Sequence, residues 1–205
     1  MKKEIYLIRH GQTDYNVKGI VQGKGVDSSL NEKGVQQAKL FYDFYQQEGF
    51  EHVFISSLKR THQTVHPFIE NGHSYEISPY LDEIDWGIYE GQLPTPEMLR
   101  NYTGIIAQWR SGALDTKIHG GESALDLFVR QQPFIEMVRN MEHKKILVCS
   151  HGRAIRSLLC GFLNVPLHEM DNFEHTNTCL YKLDYFNGTF ELVLANDTRH
   201  LNGKN

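Results

Sequence analysis

The sequence predicts an α/β fold in three layers, with a mixed, mostly parallel sheet between helices. Three observations lead there. Short apolar runs recur along the 205-residue chain, at Ile5–Ile8, His52–Ile55, Tyr75–Ile77 and Lys145–Cys149. Segments of helical periodicity separate them. Two of the runs end alike, in Arg9-His10-Gly11 and in Ser150-His151-Gly152. In an open parallel sheet such ends share one edge, and ligands bind at that edge.

Composition narrows the class. Hydrophobic residues make up 40% of the chain and charged residues 22%, ordinary values for one globular domain over residues 1–205. The formal net charge of −4 gives no general attraction to nucleic acid or acidic membranes, so any anion site must be built locally. Cys149, Cys160 and Cys179 show no paired spacing and no C-x-x-C, and they read as buried, reduced thiols. The first strand begins within a few residues, and no apolar run has membrane-spanning length. Both features predict a cytoplasmic protein. Nothing in the pattern sets an oligomeric state.

The elements follow in order. Ile5–Ile8 is a buried strand. Residues 11–29, with Gly19, Gly23 and Gly25, read as a glycine-rich loop over the proposed site. Asn31 is an N-cap for a helix over 32–48 whose Val35, Ala38, Phe41 and Tyr45 should face the core. Ser56-Ser57 offers the cap for a helix to about Glu70, closed by Asn71-Gly72. After the strand at Tyr75, an irregular stretch carries Asp82, Glu83, Asp85 and Glu90. Residues 93–119 read as an excursion covering the site, with a helix over 97–110. Ser123-Ala-Leu-Asp126 resembles a capping box and opens a helix to about Met141, which Pro133 should kink. A helix over 153–163 follows the strand at Lys145. Thr178–Tyr185 and Thr189–Ala195 form a hairpin about Asn187-Gly188.

The strand ends bring two histidines to one edge, and Arg60, on the first turn of the following helix, joins them. Arginine grips phosphate oxygens in a bidentate fork. A neutral imidazole attacks phosphorus, and two guanidinium groups nearby disfavour its protonation. The leaving alkoxide needs an acid, for which Asp82, Glu83, Asp85 and Glu90 are equal candidates by spacing. Asp14 and Asp27 read as plain loop residues, His62, His66 and His73 as surface positions, and Arg153 as an exposed helix position. Trp86 and Trp109 read as packing residues, with Trp109 also able to line the pocket.

The ordered set Arg9-His10-Gly11-Gln12-Thr13-x-x-Asn16, Gln22-Gly23, Leu30-x-x-x-Gly34, Ser56-Ser-Leu-x-Arg60, Leu81-x-Glu83-x-x-x-Gly87-x-x-Glu90-Gly91, Gly120-Gly-Glu-Ser123 and Ser150-His151-Gly152 resembles the histidine phosphatase superfamily, in the branch that includes phosphoglycerate mutases. Asn196–Leu201 is similar to the end of many members. The resemblance implies that His10 is phosphorylated, that Arg9, Arg60 and His151 hold the phosphoryl oxygens, and that Glu83 is the proton donor. It implies that Asn16, Gln22, Gly23 and Gly152 border the substrate, and that neither metal nor cofactor is needed. The expected partner is a small phosphorylated metabolite. Phosphatase and mutase share this chemistry. Gln108-Trp109-Arg110-Ser111 holds one arginine where mutases resemble one another in a tandem pair, which favours the phosphatase. A metal-dependent hydrolase and a silent phospholigand-binding module are the remaining classes. Neither His10 nor His151 has a nearby H-x-H or H-x-x-x-H partner, which weighs against the metal class.

Overall fold

The computed structural model describes residues 2–202. Six strands, β1 (Lys3–Arg9), β2 (His52–Ile55), β3 (Tyr75–Ile77), β4 (Lys145–Ser150), β5 (Leu180–Phe186) and β6 (Thr189–Asp197), form one sheet in the order β3-β2-β4-β1-β5-β6. The first four in that order run parallel, and β5 and β6 are antiparallel. The helices are α1 (Asp14–Lys18), α2 (Glu32–Tyr45), α3 (Lys59–Glu70), α4 (Pro96–Arg110), α5 (Ala124–Asn140) and α6 (Gly152–Leu163). The fold is the α/β architecture that the alternating pattern predicts. No helix among the described residues is long and apolar enough to cross a membrane.

Side chains alternate across a strand, so β1 feeds two cores. Ile5 and Leu7 pack with Phe134 of α5 and with Ile155 and Leu158 of α6. Tyr6 and Ile8 pack on the other face with Phe41 of α2 and with Val65 and Phe68 of α3. Each fully buried side chain of this size contributes about 1.5–3 kcal/mol. The three cysteines are buried and free, as their apolar surroundings predict. A third core lies under the excursion, where Trp109 stacks on Trp86 at 5.8 Å and Ile84, Ile106, Leu127 and Met170 close around them. The Trp109 indole N–H donates to the Thr116 carbonyl at 2.7 Å.

Several local expectations need correction. Residues 11–29 are not all loop. Thr13 and Asn16 form a reciprocal capping box for α1, which ends at Gly19 in the left-handed region at φ 65°. Asp14 therefore sits in a helix turn. On α2, Val35 is 57% exposed and Gly34 and Gln37 are buried instead. The reason is close approach: a Cβ on Gly34 would lie 2.1 Å from the Gln12 carbonyl oxygen. Beside it, Gln37 Oε1 accepts the Gln12 N–H at 2.9 Å. The N-cap of α3 is Leu58, not a serine. Asp27, read as a plain loop residue, accepts the Lys59 N–H there at 2.8 Å. Pro67 lies inside α3, and Pro133 lies inside an α5 that continues to Asn140. The Ser123–Asp126 box and the Asn187-Gly188 turn, with φ 51° and 86°, form as predicted.

Candidate active site

The site grows from strand register. Arg9 of β1 lies opposite Ser150 of β4, so His10 and His151 leave the sheet side by side, their ring centroids 5.1 Å apart. Ile55 of β2 lies opposite Cys149, which brings Ser56 to the same edge. His10 is buried, and its Nδ1 lies 2.7 Å from the Gly11 carbonyl oxygen. That contact makes Nδ1 the protonated nitrogen and leaves the lone pair on Nε2. Burial, then the Arg60 and Arg9 charges, hold its pKa well below the ordinary histidine value. The resulting neutral imidazole has nucleophilic character.

His151 is fully buried at the N-terminus of α6, and both its ring nitrogens are engaged. Nδ1 accepts from Arg60 Nε at 3.1 Å, so Nε2–H donates to Ser56 Oγ at 2.8 Å. Burial and the Arg60 charge lower its pKa strongly. Arg60 is itself 0% exposed, and burial lowers its pKa to about 10. Its remaining nitrogens donate to the Val26 carbonyl at 2.6 Å and the Gly23 carbonyl at 3.3 Å, fastening the loop to the site. Arg9 donates to His175 Nδ1 at 3.0 Å, while its buried Nε meets no partner among the described residues. An unpaired buried donor of that kind suits an anionic oxygen.

Glu83 is buried and takes the place of a side-chain cap on α6. Its Oε1 accepts the Ala154 and Ile84 N–H groups at 2.9 Å each, and its Oε2 accepts the Arg153 N–H at 3.1 Å. The free amides of a helix N-terminus need acceptor oxygens, and this carboxyl group supplies them. This leaves the N-cap residue, His151, free to turn its ring toward Arg60. Asn16, the third residue of α1, accepts from the Thr13 N–H at 3.0 Å and from Asn177 Nδ2 at 3.2 Å. Gln22 Oε1 accepts from Thr13 and Ser28 hydroxyls. At Gly23 any side chain is excluded, because a Cβ would lie 2.5 Å from the Ile84 carbonyl oxygen as well as against the Glu90 carboxyl group. Gly152 opens α6 beneath the His175 ring.

A cavity of about 270 Å³ lies over this floor. Arg9, His10, Asn16, Gln22 and Glu83 line it, whereas Arg60, His151, Gly23 and Gly152 stand behind that first layer. The excursion supplies Pro94, Met98, Leu99 and Tyr102 to its wall. Trp86, expected only to pack, lines the cavity, and Trp109 packs behind it. Arg153 corrects the reading as an exposed residue: it is 6% exposed, paired with Asp171 Oδ1 at 2.5 Å. His175 and Asn177 escaped the sequence reading. The His175 pKa is pushed down to about 3 by burial and by Arg9, and Asn177 donates to the His10 carbonyl at 3.2 Å. Both precede β5, whose antiparallel start lies at the edge where β1 ends, and that topology is the signal that would have found them.

Paired histidines and arginines at the carboxyl edge of a parallel sheet make a site suited to an anion. The family model for the histidine phosphatase superfamily (branch 1) matches residues 5–198, and the chain belongs to that superfamily. It is 31% identical over 209 residues to a "Probable phosphoglycerate mutase GpmB" of Proteus mirabilis, covering 97% of this chain and 94% of the relative. It is 26% identical over 199 residues to a "Putative phosphoserine phosphatase 2" of Hydrogenobacter thermophilus, covering 97% of each. A mycobacterial glucosyl-3-phosphoglycerate phosphatase superposes with a TM-score of 0.84 at 25% identity, over 96% of this chain and all of that one.

Proposed function

We propose that this protein is a metal-independent phosphomonoesterase that works through a phosphohistidine at His10 on a small phosphorylated metabolite. The observation that carries the reading is the state of His10: buried, neutral, and hydrogen-bonded through Nδ1 to the Gly11 carbonyl, with Arg9 beside it at a cavity floor. His10 Nε2 attacks phosphorus. The new P–N bond replaces the ester P–O bond, and the leaving oxygen takes a proton from Glu83. Water then attacks the phosphohistidine, the P–N bond breaks, and the proton lost by water returns to Glu83. Arg9 meets the transferring oxygens from the cavity floor, and Arg60 and His151 stabilise them electrostatically from behind it, so no metal is required. Because Arg60 and His151 are hydrogen-bonded to each other, they act on the phosphoryl group as one unit. Asn16, Gln22, Gly23 and Gly152 shape the border of the site. The chain acts as one domain over residues 1–205, its 93–119 excursion forming the substrate wall. Its three reduced thiols suit the cytoplasm.

The test is a rapid quench with a ³²P-labelled monoester. Wild type should carry acid-labile, base-stable label, and His10→Ala should carry none and lose at least about 10⁴-fold in turnover. Label persisting in His10→Ala would remove the reading. The relative named as a mutase keeps phosphoryl transfer back to a bound sugar acid as the second reading. Conversion of 3-phosphoglycerate to its isomer faster than its hydrolysis would select it.

A further inference from the structure

Arg9 is the sole cation and Glu83 the sole acid lining the His10 cavity among the described residues. Both belong to the floor. Beyond the floor the wall is apolar or aromatic, formed by Val21, Trp86, Tyr89, Met98, Leu99 and Tyr102. The aromatic part is braced from behind, with Trp86 4.9 Å from Tyr102 and 5.8 Å from Trp109, centroid to centroid.

A further guanidinium lies close, but it is turned away. Arg153 donates to the Tyr102 hydroxyl at 3.3 Å and to Asp171 at 2.5 Å, and its guanidinium lies 5.6 Å from the Trp109 ring. Arg156 and Arg110 close on the same Asp171 at 2.7 and 3.2 Å. Tyr102 lines both the His10 cavity and a separate groove that holds these arginines, so its ring partitions the two. A carboxylate or second phosphate on a bound ester would meet apolar wall, with the three nearby guanidinium groups gathered on the single Asp171 carboxylate behind Tyr102. Desolvating such a charge without a partner is costly.

We propose that the alcohol half of the substrate is uncharged and apolar or aromatic. Monoesters carrying a second anionic group are rejected at the wall, and Leu99 and Tyr102 set that preference. This rests on the phosphatase reading above and narrows its substrate class. Leu99 is the natural point of attack for a test, because it lines the cavity and is 54% exposed at its mouth.

Benzyl phosphate and 4-carboxybenzyl phosphate have similar leaving groups and differ by one carboxylate. For the wild-type chain, kcat/KM should favour benzyl phosphate by about tenfold or more, mostly through KM. Leu99→Arg, which places a cation at the mouth, should raise kcat/KM for the carboxylated ester and shrink that ratio. Equal kcat/KM for the two esters in wild type, or a preference for the carboxylated one, overturns the proposal while leaving His10 labelling intact. A ratio unmoved by Leu99→Arg overturns the role of Leu99. No turnover of either ester together with no label on His10 overturns both this proposal and the reading beneath it.

Discussion

The floor of the cavity and its wall are held by different forces. On the floor, backbone groups fix the side chains: the Gly11 carbonyl orients His10, three amides seat Glu83, and Arg60 grips two loop carbonyls. In the wall, side chains fix one another, as Trp86 stacks on Trp109, Tyr102 tilts against Trp86, and the Ile106 and Ile118 side chains fill in behind. Hydrogen bonds to backbone set atom positions narrowly, as phosphoryl transfer requires. Packing tolerates exchange of similar volumes, so a packed wall can change its substrate without moving the reacting atoms.

The comparison breaks most visibly at Glu83. Glu83→Gln should slow an alkyl phosphate by about 10²–10⁴-fold and a 4-nitrophenyl ester far less, since only the poor leaving group needs the proton. Equal slowing of the two in steady-state assays would reduce Glu83 to a cap for α6. On the wall, Trp109→Ala should lower stability by about 3–5 kcal/mol, read as a lower urea midpoint. It should raise KM for larger esters while leaving His10 labelling by a small one intact. Loss of labelling would show that floor and wall are one unit.

The smallest effect concerns pH. Burial and neighbouring guanidinium groups depress the folded-state pKa values of His10, His151 and His175 below the unfolded value of about 6.5. Below about pH 6.5 the unfolded chain therefore binds protons that the folded chain does not. Stability is complete above that pH and falls as pH drops toward the folded values, by up to about 1.4 kcal/mol per pH unit for each group. His175→Asn should flatten the fall between pH 6.5 and 5, whereas Trp109→Ala should shift the whole curve without changing its slope. An unchanged slope in His175→Asn would remove His175 from the account.

The legible parts of the sequence were those governed by local periodicity. The strand ends at Arg9 and Ser150 follow from apolar runs, and their adjacency follows from parallel pairing. Arg60 was legible because it follows a strand by a few residues. The assignment of Glu83 among four carboxylates came from family resemblance, because its partners, the amides of Arg153 and Ala154, lie 70 residues and more away in the chain. Arg153 was misread for the same reason: Asp171, its partner, is 18 residues on, across a loop with no periodic signal. Val35 failed because Gly34 takes the contact with Gln12, and close backbone approach leaves no mark in hydrophobicity. The short helix α1 hid in a glycine-rich stretch because its cap pairs Thr13 with Asn16 rather than with glutamate or glutamine.

The grip of Arg60 on the loop has an evolutionary side. It takes hold of Val26 and Gly23 through their carbonyl oxygens, which every residue type carries. The clasp is therefore blind to the loop's side chains, apart from the glycine that the Ile84 carbonyl demands at position 23. Descendants of such a chain can rewrite the loop's side chains and so explore new esters, while the clasp beside the paired histidines is inherited unchanged.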